Sequence, residues 1–190
     1  MIVSVFLFQA EVGIRYCCLS RGLGDVYKGQ VAADAIISTT NEELRAGAGV
    51  CGAIFRAAGI APLEEACAEI GHCPTGSAVI TPAFGIKSAK YIVHAVGPVY
   101  ASHAPDESRR LLRSAYRTAI KVAAENGCKT IAFPAISTGV YRYPKDAACR
   151  IALGVGREYD DRFREIRYVC FSDEDLEVYR RILKELETSP

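Results

Sequence analysis

Tryptophan is absent from the 190-residue chain, methionine occurs once, and histidine only three times, as His72, His94 and His103. These histidines have no metal-ligand spacing, and the eight cysteines include no C-x-x-C pair. Neither a metal site nor a disulfide framework is therefore implied, and no cofactor is expected. An excess of charge of either sign is also missing: 23 basic residues face 22 acidic ones, for a net charge of +1. That balance excludes the broad basic field that holds a nucleic-acid backbone, while a nucleotide-sized ligand needs only local charge. No apolar run reaches the ~20 residues of a membrane-spanning helix. The opening "MIVSVFLFQA" is apolar but lacks a basic start and a small-residue cleavage site, and reads as a strand rather than a signal peptide.

The cysteines are plentiful but dispersed. Cys17 and Cys18 are adjacent; Cys51, Cys67, Cys73, Cys128, Cys149 and Cys170 are scattered, mostly among apolar or small residues, as in "YVCF" and "DAACRIAL". Buried free thiols in a reducing cytoplasm are the expectation, which places the protein there.

What the chain does have is alternation of strand and helix. "ADAII", "SAVITPA", "AKYIVHAVG", "KTIAFPA" and "IRYVCF" are short apolar or β-branched runs, several bounded by Gly or Pro, and read as strands. Helices are expected over Val50–Ala58, Pro62–Ile70, Glu107–Glu125, Lys145–Tyr159 and Asp173–Leu186. In the third of these Leu112, Ala115, Tyr116, Ala119, Val122 and Ala123 share a face, and Asn126-Gly127 supplies a left-handed stop. Ser172 or Asp173 caps the last helix. His94, mid-strand in "YIVHAVG", reads as a core residue. The pattern implies an α/β layered domain with a parallel or mixed sheet, in which ligands sit beyond the carboxyl ends of strands.

Two loops have that position and a suitable composition. The first lies in "STTNEELRAGAGVCGAIFRAAG", where Gly47, Gly49 and Gly52 allow positive φ and remove Cβ obstruction just before a helix N-terminus, a place that favours an anion. The second, Ser137-Thr138-Gly139-Val140-Tyr141, offers hydroxyls and exposed backbone around a glycine. One such loop is an ordinary tight turn; two at equivalent strand ends point to a diphosphate clamp. The spacing fits neither a G-x-x-x-x-G-K-[ST] loop nor a full dinucleotide fingerprint.

"DAIISTTNEELRAGAGVCGAIFRAAG", "CPTGSAVITPA", "AKYIVHAVGPVY", "IAFPAISTGVYRYP" and "YVCFSDED" together resemble the macrodomains, the ADP-ribose-binding modules, in the same order, over roughly Gly24–Leu186. The nearest branch is the bacterial O-acetyl-ADP-ribose deacetylase and MacroD-like group. The resemblance implies a single domain over 24–190, a three-layer α/β/α sandwich with a mixed central sheet, and a cleft for ADP-ribose or its O-acetyl ester. It also implies metal-free hydrolysis, by an oriented water, of acetyl or ADP-ribosyl esters, with ADP-ribosylated proteins as further partners; the alternative is a non-catalytic reader. Carried over by position, Asn41 contacts the distal ribose and helps orient the water, and its bland alternative is an Asx-type cap. Gly47, Gly49, Val50 and Ser137, Thr138, Gly139, Val140 and Tyr141 match the diphosphate clamp, with Tyr141 closing over the distal ribose. Phe171 matches the aromatic that stacks on adenine, or else is a core aromatic.

Three departures from the family stand out. The N-A-A-N motif reads "STTN", with Ser38 in place of its first Asn and Thr39 and Thr40 in place of the alanines. Asp25 matches the adenine-reading Asp, but two residues too far upstream; the stretch 1–23 is unlike the family, "RGLGDVYKG" resembles translated adapter sequence, and residues 1–30 are expected to be partly non-native. Cys51 stands where the deacetylase branch usually has an Asp beside the distal ribose. It is either a small neutral filler or a thiolate activated at a helix N-terminus.

Overall fold

The computed structural model describes residues 32–188. The assignments at Asp25, Cys17 and Cys18 lie outside them. Five strands form one mixed sheet: β1 (Ala35–Thr39), β2 (Ala78–Pro82), β3 (Tyr91–Ala95), β4 (Thr130–Pro134) and β5 (Glu165–Val169), in the order β2-β3-β1-β4-β5. All neighbours are parallel except β2, which runs antiparallel to β3 at one edge. Between them run α1 (Gly49–Ala58), α2 (Ile60–Ile70), α3 (Pro105–Glu125), α4 (Lys145–Arg157) and α5 (Asp173–Thr188).

Strand alternation sorts the helices into two outer layers. On β1, Ala35 and Ile37 join the core formed with α3, α4 and α5, whereas Ile36 joins the core under α1 and α2. Val93 and Ile92 divide in the same way on β3, as do Ile131 and Ala132 on β4. The result is the three-layer α/β/α sandwich with a mixed sheet that the family resemblance implied, and an α/β layered domain as the strand–helix alternation implied.

Local signals set most boundaries. Pro105 begins α3, with Asp106 and Glu107 in its first turn, and Gly127 at φ 73° ends it. Ile120 is buried where Val122 was expected, and Val122 is only half-buried. The Ser172 hydroxyl accepts from the Asp175 N–H at 3.2 Å, which settles the cap of α5. Asp34, just before β1, accepts from the backbone N–H groups of Lys129 and Thr130 and pairs with Lys90, tying the starts of β1, β3 and β4 together.

All six described cysteines are buried. His94 is fully buried on β3, with Nε2 2.9 Å from the Thr81 hydroxyl, and burial pulls its imidazole down to a pKa of about 4. It is a neutral core residue. Among the described residues no helix is long and apolar enough to cross a membrane, and no group of three His, Cys, Asp or Glu side chains is placed to hold a metal ion.

Candidate ligand-binding cleft

A cleft of about 440 Å³ opens beyond the carboxyl ends of β1 and β4. These strands are neighbours in the sheet, yet the chain leaves β1 for one outer layer and β4 for the other. Such a divergence opens a crevice. Asn41, Gly47, Gly49, Val50 and Cys51 line it from the first loop, Ser137 to Tyr141 from the second, and Phe171 from the end of β5. The sequence-derived site residues within the described chain are thus gathered around one space.

The first loop is held firmly. Asn41 Oδ1 accepts from the Arg45 N–H at 2.9 Å, and the Asn41 carbonyl accepts from Leu44 N–H. Leu44 itself is buried, with φ 57°. The Asx-type cap at Asn41 is therefore real, and it leaves the Nδ2 amide as the side chain's free donor. Glu42 fixes the loop laterally, accepting from the N–H and hydroxyl of Thr75 at 2.7 and 2.8 Å. Those hydrogen bonds hold its carboxyl below the usual range.

Of the three glycines in this loop, only Gly49 adopts positive φ, at 64°. Gly52 serves a different need from the one expected: a Cβ there would collide with the Gly47 carbonyl oxygen, so its absence lets the loop lie against α1. The N-cap of α1 is Ala48, no side chain caps the helix, and its first turn carries no acid. The N–H groups of Gly47 and Ala48 donate to no described group. Unengaged amides at a helix N-terminus attract an anion.

Cys51 is 4% exposed. Its Sγ lies 3.6 Å from the Arg45 carbonyl oxygen, to which it donates, and 3.9 Å from Thr40 Oγ1. Buried between these two oxygens, the side chain packs as a small filler of the loop.

The second loop offers backbone rather than hydroxyls. Thr138 Oγ1 donates to the Ala135 carbonyl at 2.9 Å, and Ser137 Oγ is buried without a partner, its residue held at φ 65°. Gly97 makes room for it: a Cβ at Gly97 would collide with Ser137 Oγ and stand 2.5 Å from Ile136 Cγ2. The N–H groups of Gly139, Val140 and Tyr141 donate to no described group. Tyr141 is pinned by its carbonyl, which accepts from Tyr100 N–H, and burial, with the nearby carboxylates of Glu43 and Glu42, pushes its phenol up. It is a neutral donor at ordinary pH.

Phe171 is 61% exposed at the cleft rim, so the core-aromatic alternative does not hold. Sequence reasoning missed three charged lining residues and one glycine: Arg45, Lys145, Asp175 and Gly97. Lys145 Nζ pairs with Asp175 at 2.6 Å. The position of Gly97 two residues past β3 was the one available sign of a close approach.

The Macro domain family model matches residues 37–152. A macro domain-containing protein of Caldanaerobacter subterraneus is 47% identical over 159 residues, covering 81% of this chain and 90% of that protein. A protein of Enterobacter cloacae named O-acetyl-ADP-ribose deacetylase is 45% identical over 170 residues, covering 84% of this chain and 92% of its own. Among solved structures, a mutant Oceanobacillus iheyensis macrodomain with ADPR superposes with a TM-score of 0.83 at 31% identity, covering 98% of this chain and 100% of that one. The Trypanosoma brucei macrodomain in complex with ADP-ribose gives 0.75 at 34% identity, covering 90% and 69%. With a family match over more than half its length, and such relatives across four-fifths of it, the chain belongs to the Macro domain family.

Proposed function

We propose that the cleft binds ADP-ribose and hydrolyses its O-acetyl ester or an ADP-ribosyl-protein ester. The observation that carries this reading is the pair of facing loops whose amides have no partner in the protein, at Gly47–Ala48 and Gly139–Tyr141, around one space of about 440 Å³. A diphosphate between them receives charge-assisted hydrogen bonds from both sides. Phe171 stacks on the adenine at one end. At the other, Asn41 Nδ2 donates to the distal ribose and Tyr141 covers it. The protein name of the Enterobacter cloacae relative and the ADP-ribose complex of the Trypanosoma brucei relative support the same ligand.

In hydrolysis, water adds to the acyl carbon and gives a proton to a ligand phosphate oxygen; the bond between that carbon and the ribose oxygen then breaks, and the phosphate returns the proton to the leaving oxygen, leaving the carboxylic acid and a free ribose hydroxyl. The protein's share is orientation: Asn41 and Tyr141 hold the distal ribose, and the amide loops fix the phosphate that acts as base. Well-made positioning is worth a large part of a catalytic barrier.

A second reading, a reader that binds without chemistry, is favoured by one observation. Cys51 is buried against the Arg45 carbonyl where the deacetylase branch usually has an Asp, so that position holds no carboxylate at the end of the cleft where the ribose ester would sit. Calorimetric titration with ADP-ribose, followed by single-turnover incubation with O-acetyl-ADP-ribose, separates the two. Saturable binding with acetate release supports the hydrolase, and binding with no release supports the reader. The absence of binding at millimolar ADP-ribose overturns both.

A further inference from the structure

Two charged side chains of the cleft belong to neither amide loop. Lys145 opens α4, shortly after the second loop, and Asp175 lies in the first turn of α5, shortly after Phe171. Lys145 Nζ meets Asp175 Oδ1 at 2.6 Å and Glu174 Oε2 at 3.5 Å. Asp175 is the most enclosed of the three, with 14% of its side chain open against 78% for Glu174. Its backbone is held in place, since its N–H donates to the hydroxyl of Ser172, the neighbour of Phe171, at 3.2 Å. Oδ1 faces Lys145, and Oδ2 accepts from no described group. An enclosed carboxylate oxygen on a cleft wall is an acceptor waiting for a donor.

The pair stands between the second loop and Phe171. With Ala135 and Thr138 at the root of that loop, and Val178 and Tyr179 of α5, it borders a recess of about 10 Å³ off the main cleft. Such a space holds a water at most. In ADP-ribose the group between diphosphate and adenine is a ribose, so its hydroxyls come to this wall. Two carboxylates against one ammonium leave the wall with an excess of negative charge. The other cation lining the cleft, Arg45, belongs to the first loop.

We infer that Asp175 Oδ2 accepts a hydroxyl of the adenosine-side ribose, and that the site thereby selects ligands with free hydroxyls there over ligands phosphorylated at that ribose. This rests on the reading of the cleft as an ADP-ribose site, with the diphosphate at the amide loops and the adenine on Phe171. A hydroxyl donating to a carboxylate makes a charge-assisted hydrogen bond. A phosphate in its place meets like charge and a recess too small to take it. Dinucleotide sites of other folds divide the same way, with an acidic side chain for a free ribose 2′-hydroxyl and an arginine for a 2′-phosphate. Here the acid is in excess.

The test crosses changes in the ligand with changes in the protein. Calorimetry gives the affinities of the unmodified protein, Asp175→Ala and Asp175→Asn for four ligands: ADP-ribose, its 2′-deoxy and 3′-deoxy analogues at the adenosine ribose, and its 2′-phosphate at the same ring. The unmodified protein is expected to bind ADP-ribose about tenfold more tightly than at least one deoxy analogue, the lower end for a hydrogen bond to a charged group, and about tenfold or more over the 2′-phosphate. In Asp175→Ala both preferences fall to roughly one- to twofold. Asp175→Asn keeps an acceptor without the charge, so it retains part of the hydroxyl preference and loses most of the discrimination against phosphate; it carries the comparison if the alanine variant does not fold. Equal affinity of the unmodified protein for ADP-ribose and both deoxy analogues, or for ADP-ribose and its 2′-phosphate, overturns the inference while leaving ADP-ribose binding intact. A uniform loss for all four ligands in both variants also overturns it, because Asp175 then only supports the fold around the cleft. No binding of ADP-ribose by the unmodified protein overturns the underlying reading and this inference with it.

Discussion

Replacing Gly97 by alanine tests the packing beneath the second loop. The new methyl carbon would stand 2.5 Å from Ile136 Cγ2 and would also overlap Ser137 Oγ. Carbon atoms in contact prefer ~3.5–4.0 Å, so the loop must retreat by about 1 Å or more. Overpacking of this kind costs ~1–3 kcal/mol. Alanine also restricts the unfolded chain, which returns ~0.4–1 kcal/mol, so a net loss of up to about 2.6 kcal/mol is expected. The same retreat moves the amides of Gly139, Val140 and Tyr141. Losing one charge-assisted hydrogen bond to a phosphate costs ~1.5–3 kcal/mol, or about ten- to a hundredfold in ADP-ribose affinity. Urea unfolding gives the first quantity and calorimetric titration the second. Ser137→Gly removes one of the two clashing atoms and relieves its left-handed backbone, so the double variant should recover part of both losses. A coupling of about 1 kcal/mol between the two positions is expected. A Gly97→Ala protein with the unmodified urea midpoint and affinity would refute the packing argument; lost stability with unchanged affinity would show that the second loop is not the clamp.

Gly139→Glu should abolish ADP-ribose binding without unfolding the protein. A Cβ there meets nothing within 4 Å, while the added charge repels a diphosphate; a folded variant that binds normally, by circular dichroism and calorimetry, would remove this loop from the site. Cys51→Asp should raise single-turnover hydrolysis of O-acetyl-ADP-ribose by up to ~10²-fold, the lower end of what a placed general base contributes. It should also cost ~1–2 kcal/mol of stability, since a carboxylate replaces a donor to the Arg45 carbonyl. A variant that binds ADP-ribose yet is no faster contradicts the idea that a carboxylate is what this end of the cleft lacks. His94 gives a pH dependence. Its folded pKa of about 4 lies below the unfolded value of about 6.5, so between them the unfolded state binds more protons and stability falls as pH falls. The loss approaches about 3 kcal/mol near pH 4, and His94→Gln should flatten that part of the profile; urea midpoints from pH 7 to 4 that are superimposable for both proteins would exclude it.

The strands were legible because β-branched runs such as "SAVITPA" end at Gly or Pro. The helices were legible from the spacing of residues such as Leu112, Ala115 and Ala119. Both cleft loops announced themselves by glycine content after a strand. The sequence misled where one residue type serves two physical ends. Gly52 looked like a φ-permissive glycine and is a packing glycine, because its partner, the Gly47 carbonyl, is defined only once the helix forms. Gly97 and Ser137 meet across forty residues, and no local pattern announces such a meeting. The place of Arg45 at the cleft was equally hidden, since the space it lines is closed by residues from distant strands.

The divergence of the chain after β1 and β4 has a consequence for how this molecule tolerates change. Each jaw of the cleft is anchored in its own hydrophobic layer: Leu44 and Cys51 in one, Ile136 and Tyr143 in the other, with the sheet as common wall. Substitutions far apart and without shared neighbours combine additively. One jaw can therefore drift, acquiring a threonine, a cysteine or an arginine, while the other keeps its shape, and selection can retune the two halves of the recognition surface one at a time.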